Sequence, residues 1–235
     1  MLNSGAFLNS FSAIERYLRH TTRSDRQTTF YQLIEQAAKS DRAVRRYEDD
    51  LKEFADLRNA IVHERGDGHV IAEPNDLAVK DIRRIETLLT QPPIVASVFQ
   101  RRVITLSATD PVAKAVAAML HDNISQIPIG SEQGFSGLLT TNTIARWLGA
   151  CVPNDLFSLS ETPIARVMAY TEDDDNHAFI KRTATLLAAL DLFQAYECKG
   201  RRLDAILITE NGKRTEQLLG IITVADLPRA LKEIT

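Results

Sequence analysis

The 235-residue chain has two cysteines, one tryptophan and only 6% aromatic residues. Cys151 and Cys198 stand far apart and form no CxxC pair. That argues against a zinc site and a disulfide framework, and it suits a reducing cytosol. Few aromatics argue against stacking platforms for single-stranded nucleic acid. No apolar run approaches the roughly 18 residues of a membrane span. The N-terminus lacks a basic segment followed by an apolar stretch, so no signal peptide is expected and the expected location is cytoplasmic. The net charge of −3 leaves no overall excess of positive charge for nucleic acid, so any basic footprint has to be local. What remains is 44% apolar and 25% charged, the composition of a chain able to bury a core.

The pattern changes character at "TLLTQPPIVAS". Pro92 and Pro93 cannot continue a helix and disfavour helix in the residue before them, which puts a domain boundary there. Upstream the periodicity is helical. Phe7, Phe11, Ile14 and Leu18 mark a first helix. Phe30, Leu33, Ile34 and Ala37 mark a second, behind Thr28–Thr29. A third starts after Asp41 as N-cap and runs unbroken through Val44, Tyr47, Leu51, Phe54, Leu57 and Ile61 to "ERGDG". A fourth starts behind Pro74–Asn75 with Ile82, Ile85 and Leu89 inward. Four amphipathic helices predict a small bundle over residues 1–92.

Downstream the chain repeats itself. Residues 103–148 and 178–231 each predict a short strand, a capped helix, two strands joined by a turn, and a last helix. Asp110 before Pro111 reads as an N-cap with proline at the first helical position. Thr183 is the expected cap of the corresponding helix. "SEQG" and "ENG" are turn chemistry. They join "IPI" to "FSGLL" and "AILIT" to "LLGIIT". Each such unit leaves apolar surface uncovered, so two copies packing together is the natural outcome.

The second repeat ends "GIITVAD", with Gly220 expected at a strand end and Thr223 where the strand turns into a helix. A helix N-terminus there would suit a phosphate. The Thr223 hydroxyl could add a hydrogen bond, and the Asp226 carboxylate could accept two from ribose hydroxyls. Thr-x-x-Asp also spells a capping box, so the nucleotide and capping readings both stand on the motif alone.

Residues 94–235 resemble a pair of CBS domains, carried by "SQIPI", "GLLT", "GIITVAD" and the Asp-Pro helix start. The resemblance implies adenosine-containing ligands such as AMP, ADP, ATP or S-adenosylmethionine in the cleft between repeats. It implies that Thr223 and Asp226 bind together with Ile124, Ser125 and Gln126 of the first repeat, the last three mainly through backbone groups. The first repeat departs from the pattern: "GLLTTNT" has Thr143 where the ribose-binding aspartate is expected. Thr140 remains for a second site, with Arg201 and Arg202 in reach of an anion or simply solvated.

In the helical part, "LRNAIVH" puts Arg58 and His63 roughly 140° apart on a helix. Asn59 and His63 share a face and could fix the imidazole tautomer. A histidine and an arginine can cleave RNA through its own 2′-hydroxyl without metal. Arg16, Arg19, His20 and Arg23 make one stripe, for a phosphate backbone or for pairing with the acidic run "EDDLKEFAD". Residues 5–90 resemble the HEPN superfamily through this Arg–polar–x–x–x–His signature. That implies a metal-independent ribonuclease with Arg58 and His63 catalytic and Asn59 supporting, formed across a homodimer. The competing reading is that Arg58 and His63 tie the helix end to its neighbours.

The expectation is therefore an α+β multidomain chain. An all-α HEPN-like bundle occupies residues 1–92, the first CBS repeat 93–150, and a linker with the second repeat 151–235, in β-α-β-β-α units. The expected function is an adenosine-nucleotide sensor controlling a domain that acts on RNA. The alternative is a non-catalytic dimeric sensor or scaffold whose helical domain binds a partner. No membrane and no metal enter either expectation.

Overall fold

The computed structural model describes residues 3–62, 64–65, 69–70, 72–131, 134–154, 157–171 and 176–234. Contacts divide the chain into two compact units, Met1–Pro93 with Ile234–Thr235, and Ile94–Glu233.

The first unit is built from helices α1 (Asn3–Thr22), α2 (Phe30–Ala37), α3 (Arg42–Arg46), α4 (Glu48–Val62) and α5 (Asp76–Thr90). A two-residue antiparallel pair, β1 (Glu64–Arg65) and β2 (His69–Val70), lies between α4 and α5. The apolar stripes read from the sequence are the core: Phe7, Ile14, Leu18, Leu33, Ile34, Leu51, Ile82 and Ile85 are fully buried. Phe7 meets Phe54 edge-on at 5.8 Å between ring centres. Helix starts follow their caps. Thr29 and Gln32 form a reciprocal capping box on α2. The Asn75 side chain accepts from the Ala78 amide on α5.

The expected third helix is two helices. The chain leaves helical geometry at Tyr47, with φ −109° and ψ 24°, and restarts at Glu48. The apolar stripe continues across the break because Val44, Tyr47 and Leu51 all remain buried. Periodicity alone therefore does not reveal it.

The second unit begins with α6 (Val95–Phe99) and continues with α7 (Val112–Asp122), β3 (Gln126–Ser131), β4 (Gly134–Thr140) and α8 (Thr141–Cys151). The short α9 (Ile164–Met168) follows. Then come β5 (His177–Lys181), α10 (Leu186–Glu197), β6 (Ala205–Thr209), β7 (Gly220–Thr223) and α11 (Leu227–Lys232). In the second repeat the order is strand, helix, strand, strand, helix. Its sheet runs β5-β6-β7, with β5 parallel and β7 antiparallel to β6. In the first repeat β3 and β4 pair antiparallel, and the leading strand is reduced to one parallel bridge between Leu106 and Ile129.

Strand β6 is buried at every position, so it reads as a continuous apolar run rather than an alternating one. Trp147 on α8 anchors one core with Ile127, Leu139, Ile164 and Val167. A second core joins the repeats: Phe135 and Leu138 of β4 pack with Ala205, Leu207 and Ile221 of the other sheet.

Two expected caps shift. The Thr185 hydroxyl, not that of Thr183, accepts from the Ala188 amide at the start of α10. Pro111, not Asp110, is the residue before α7. Asp110 instead closes the preceding turn by accepting from the Ser107 amide at 2.8 Å, and it takes the Lys114 ammonium at 3.0 Å.

Candidate functional site

Helix α7 ends at Asn123 in the left-handed conformation, φ 51° and ψ 47°. Asparagine tolerates this geometry better than most residues. The turn brings the Ile124 amide back to the Met119 carbonyl and delivers the chain into β3. The Ser125 carbonyl accepts from the Thr141 amide at 2.9 Å. The Ser125 hydroxyl donates to the Gln126 side-chain oxygen at 2.5 Å. The Gln126 side-chain nitrogen Nε2 then donates across the repeats to the Asp204 carbonyl at 3.3 Å.

On the facing side, β7 begins at Gly220 and ends at Thr223. Gly220, expected at the strand's end, stands at its beginning, where Phe99 of α6 crosses. A Cβ on Gly220 would come within 2.3 Å of the Phe99 carbonyl oxygen. Thr223 leads into a 3₁₀ turn, Val224–Asp226, and then the six-residue α11. The extended helix and dipole expected at this point are thus replaced by a short turn.

One carboxylate oxygen gathers the local donors. Asp226 Oδ2 accepts from the Thr223 amide at 2.9 Å and the Thr223 hydroxyl at 3.0 Å. The capping box is formed. The same oxygen takes Arg101 Nη2 at 3.2 Å, and that nitrogen also donates to the Ile221 carbonyl at 3.1 Å. The Asp226 side chain is 15% exposed against 47% for Arg101, so the carboxylate sits inside and the guanidinium at the mouth.

These groups line a cleft of about 400 Å³. That lies within the range of about 300–1,000 Å³ usual for small-molecule sites. Ile124, Ser125 and Gln126 form one wall, and Thr223 and Asp226 the other. Arg101 and Arg102 lie along it, with Asp122 at the edge. Chemically the cleft offers a carboxylate with lone pairs for a diol, a hydroxyl beside it, apolar Ile124, and two guanidinium groups for an anion.

Arg101 and Arg102 were not singled out from the sequence. Their signal is the basic pair in "FQRRVIT", immediately before the first repeat, where nothing in the repeat pattern points. Thr140 is not part of this cleft. It caps α8, its hydroxyl accepting from the Thr143 amide at 3.1 Å and lying 3.0 Å from the Thr143 hydroxyl, with both residues buried. Arg201 lies over the Tyr196 ring and Arg202 pairs with Asp204 at 2.6 Å.

In the helical unit, Arg58 is half-buried near the end of α4 and donates to the Asn59 side-chain oxygen at 3.3 Å. His63 lies outside the described residues. The basic stripe on α1 does not reach the acidic run through Arg19, which bonds Glu15 at 2.6 Å and the Asp25 and Thr28 carbonyls. Within the acidic run Glu48 takes Lys52 at 2.7 Å. No group of three or more metal-ligating side chains occurs among the described residues. No helix among them is long and apolar enough to cross a membrane.

Comparison with family models matches residues 95–150 and 173–233 to the CBS domain. No curated protein matches the chain. Among solved structures, the CBS domain pair of protein MJ0100, in complex with 5′-methylthioadenosine and S-adenosyl-L-methionine, is 13% identical with a TM-score of 0.44. It covers 61% of this chain and 99% of its own. The protein CbpB in complex with c-di-AMP is 14% identical with a TM-score of 0.45, over 66% of this chain and 93% of its own. The CBS-domain containing protein ATU1752 from Agrobacterium tumefaciens is 13% identical with a TM-score of 0.39, over 56% and 90%.

Proposed function

We propose that the chain, whose residues 95–150 and 173–233 match the CBS domain, is a regulatory sensor binding an adenosine nucleotide in the cleft between Thr223–Asp226 and Ile124–Gln126. One observation carries this reading. Five residues chosen from two distant motifs line a single cleft of ligand size. The ribose hydroxyls donate to Asp226, and the base lies against Ile124 and the polar edge of Ser125 and Gln126. The Thr223 hydroxyl, which now donates to Asp226, turns to the ligand. The Ser125 carbonyl accepts from Thr141 and keeps a second lone pair for the ligand. Ligand binding shifts the population of arrangements of the pair, and the helical unit delivers the output.

Thermal unfolding with AMP, ADP, ATP and S-adenosylmethionine tests the reading. A ligand that binds only the folded state stabilises it by about 2.7 kcal/mol at a hundred times its dissociation constant. The wild-type chain gains stability with at least one of the four, and Asp226→Ala loses that gain. No gain with any of them at millimolar concentration contradicts the proposal.

The output reading rests on Arg58 and Asn59, brought into contact near the end of α4 with His63 following in sequence. On this reading residues 1–92 are a HEPN-like, metal-independent ribonuclease assembled in a homodimer. Cleavage of labelled RNA in EDTA by wild type, lost in His63→Ala, supports it. Absence of cleavage from both, with and without nucleotide, moves the assignment to a non-catalytic sensor or scaffold whose helical unit binds a partner.

A further inference from the structure

The chain passes between its two units twice, at Pro93–Ile94 and again at Glu233–Ile234, because Ile234 belongs by its contacts to the helical unit. Ile234 is 2% exposed. Its carbonyl accepts from Arg84 Nη1 of α5 at 3.3 Å. The same nitrogen donates to the Tyr47 hydroxyl at 3.4 Å, and the guanidinium carbon lies 5.3 Å from the centre of the Tyr47 ring. Tyr47 is buried, and the chain leaves helical geometry at this residue between α3 and α4. One guanidinium therefore joins Ile234 to the α3–α4 break. Helix α4 runs from that break to Arg58 and Asn59, whose side chains are in contact.

From the other direction, Ile234 follows the cleft wall without a flexible joint. Val224–Asp226 is a 3₁₀ turn, Leu227–Lys232 is α11, and Glu233 keeps right-handed helical angles, φ −76° and ψ −12°. The stretch "VADLPRALKEI" holds no glycine, and Pro228 fixes its own φ in the first turn of α11. At about 1.5 Å per residue, the path from Asp226 to Ile234 is a strut of about 12 Å. Such a segment carries a rotation or shift from one end to the other, where a glycine-rich linker would absorb it.

We infer that Ile234 is a latch: the state of the Thr223–Asp226 turn reaches the helical unit through α11, and Arg84 passes it to the α3–α4 break at Tyr47. The inference rests on the proposed nucleotide site, of which that turn is one wall, and assigns its regulatory route. A ligand on Thr223 and Asp226 resets the capping box that now closes the turn. Ile234 moves with α11, and its carbonyl shifts against Arg84. The Arg84–Tyr47 contacts then rearrange, and with them the first turn of α4, where the Leu51 amide donates to the Tyr47 carbonyl at 2.9 Å. Coupling of this kind requires two arrangements of the break, each favoured by one state of the cleft. Arg84 is a positioning residue, since the cleft is lined by other side chains.

Amide hydrogen exchange of the full chain, followed residue by residue with and without saturating AMP, tests the latch. In wild type AMP changes the exchange rate of the Leu51 amide by at least about fivefold, the low end of ordinary coupling between sites. In Arg84→Ala and in Ile234→Ala, AMP still binds by calorimetry and the change at Leu51 is lost. Arg84→Lys, which keeps a donor for the Ile234 carbonyl, retains part of it. Amides of α1 and α5 that stay protected show that the helical unit of each variant is folded, and where one variant loses that protection the other decides. An AMP-dependent change at Leu51 that persists in the folded variants marks Arg84 and Ile234 as structural only and overturns the inference. AMP binding to wild type with no change at Leu51 overturns it too and leaves the nucleotide site standing. Failure of AMP to bind wild type overturns the site and the inference together.

Discussion

Asp226 shows what one residue can carry. Its Oδ2 accepts from two groups of Thr223 and from Arg101. The contact with Thr223 was legible, because a hydroxyl three residues before a carboxylate is a local pattern. The contact with Arg101 was not, because it joins positions 125 residues apart and no periodicity encodes it. A second carboxylate works differently. Glu216 folds the loop after β6 around itself, accepting from the Asn211 amide at 2.7 Å, the Asn211 side chain at 2.8 Å and the Lys213 amide. The Asn211 amide, then the Asn211 side chain, lower its pKa from 4.5 to about 2. A depressed carboxylate stabilises the fold above its unfolded pKa and loses that contribution as pH falls through the folded value. The loop is therefore held at neutral pH and weakens from about pH 4.5 down to about pH 2. An NMR titration of the Glu216 carboxyl should show a midpoint near 2. A midpoint at the ordinary 4.5 would mean that these bonds do not hold the carboxylate.

At the scale of elements, legibility followed chemistry that is local in sequence. The Thr29 and Asn75 helix starts and the pairing of β3 with β4 and β6 with β7 all follow from short patterns. The break at Tyr47 does not, since the buried stripe runs through it. The acidic first turn of α4, Glu48, Asp49 and Asp50, was the available start signal, because carboxylates favour a helix N-terminus. The same loop that Glu216 holds also ties the repeats. Arg214 donates to the Phe135 carbonyl at 2.9 Å and the Ser136 carbonyl at 2.8 Å. At the other end of that connection, Gly220 lets β7 lie directly under Phe99. Gly220→Ala would press a methyl group to 2.3 Å from backbone oxygen, which side-chain rotation cannot relieve. Denaturant unfolding should show a loss of about 2 kcal/mol or more. A loss under about 0.5 kcal/mol, the range of an ordinary surface change, would mean that α6 and β7 can separate freely.

For the whole molecule, the internal duplication was the signal for two packed copies, and the resemblance to a CBS pair implied that residues from two motifs would meet in one place. Ile124, Ser125, Gln126, Thr223 and Asp226 do line one cleft. Thr140, expected at a separate second site, caps α8 with its hydroxyl. The duplication is also unequal: the leading strand of the first repeat is a single bridge, while the second repeat has a full three-stranded sheet. Strand propensity alone does not foretell that, since pairing depends on the partner strand as much as on the segment. The central claim is that this cleft is the nucleotide site, and a structure determined with AMP bound tests it most directly. The account predicts the ribose hydroxyls on Asp226 and the base beside Ile124–Gln126. AMP bound elsewhere, or in this cleft without contact to Asp226, would contradict it.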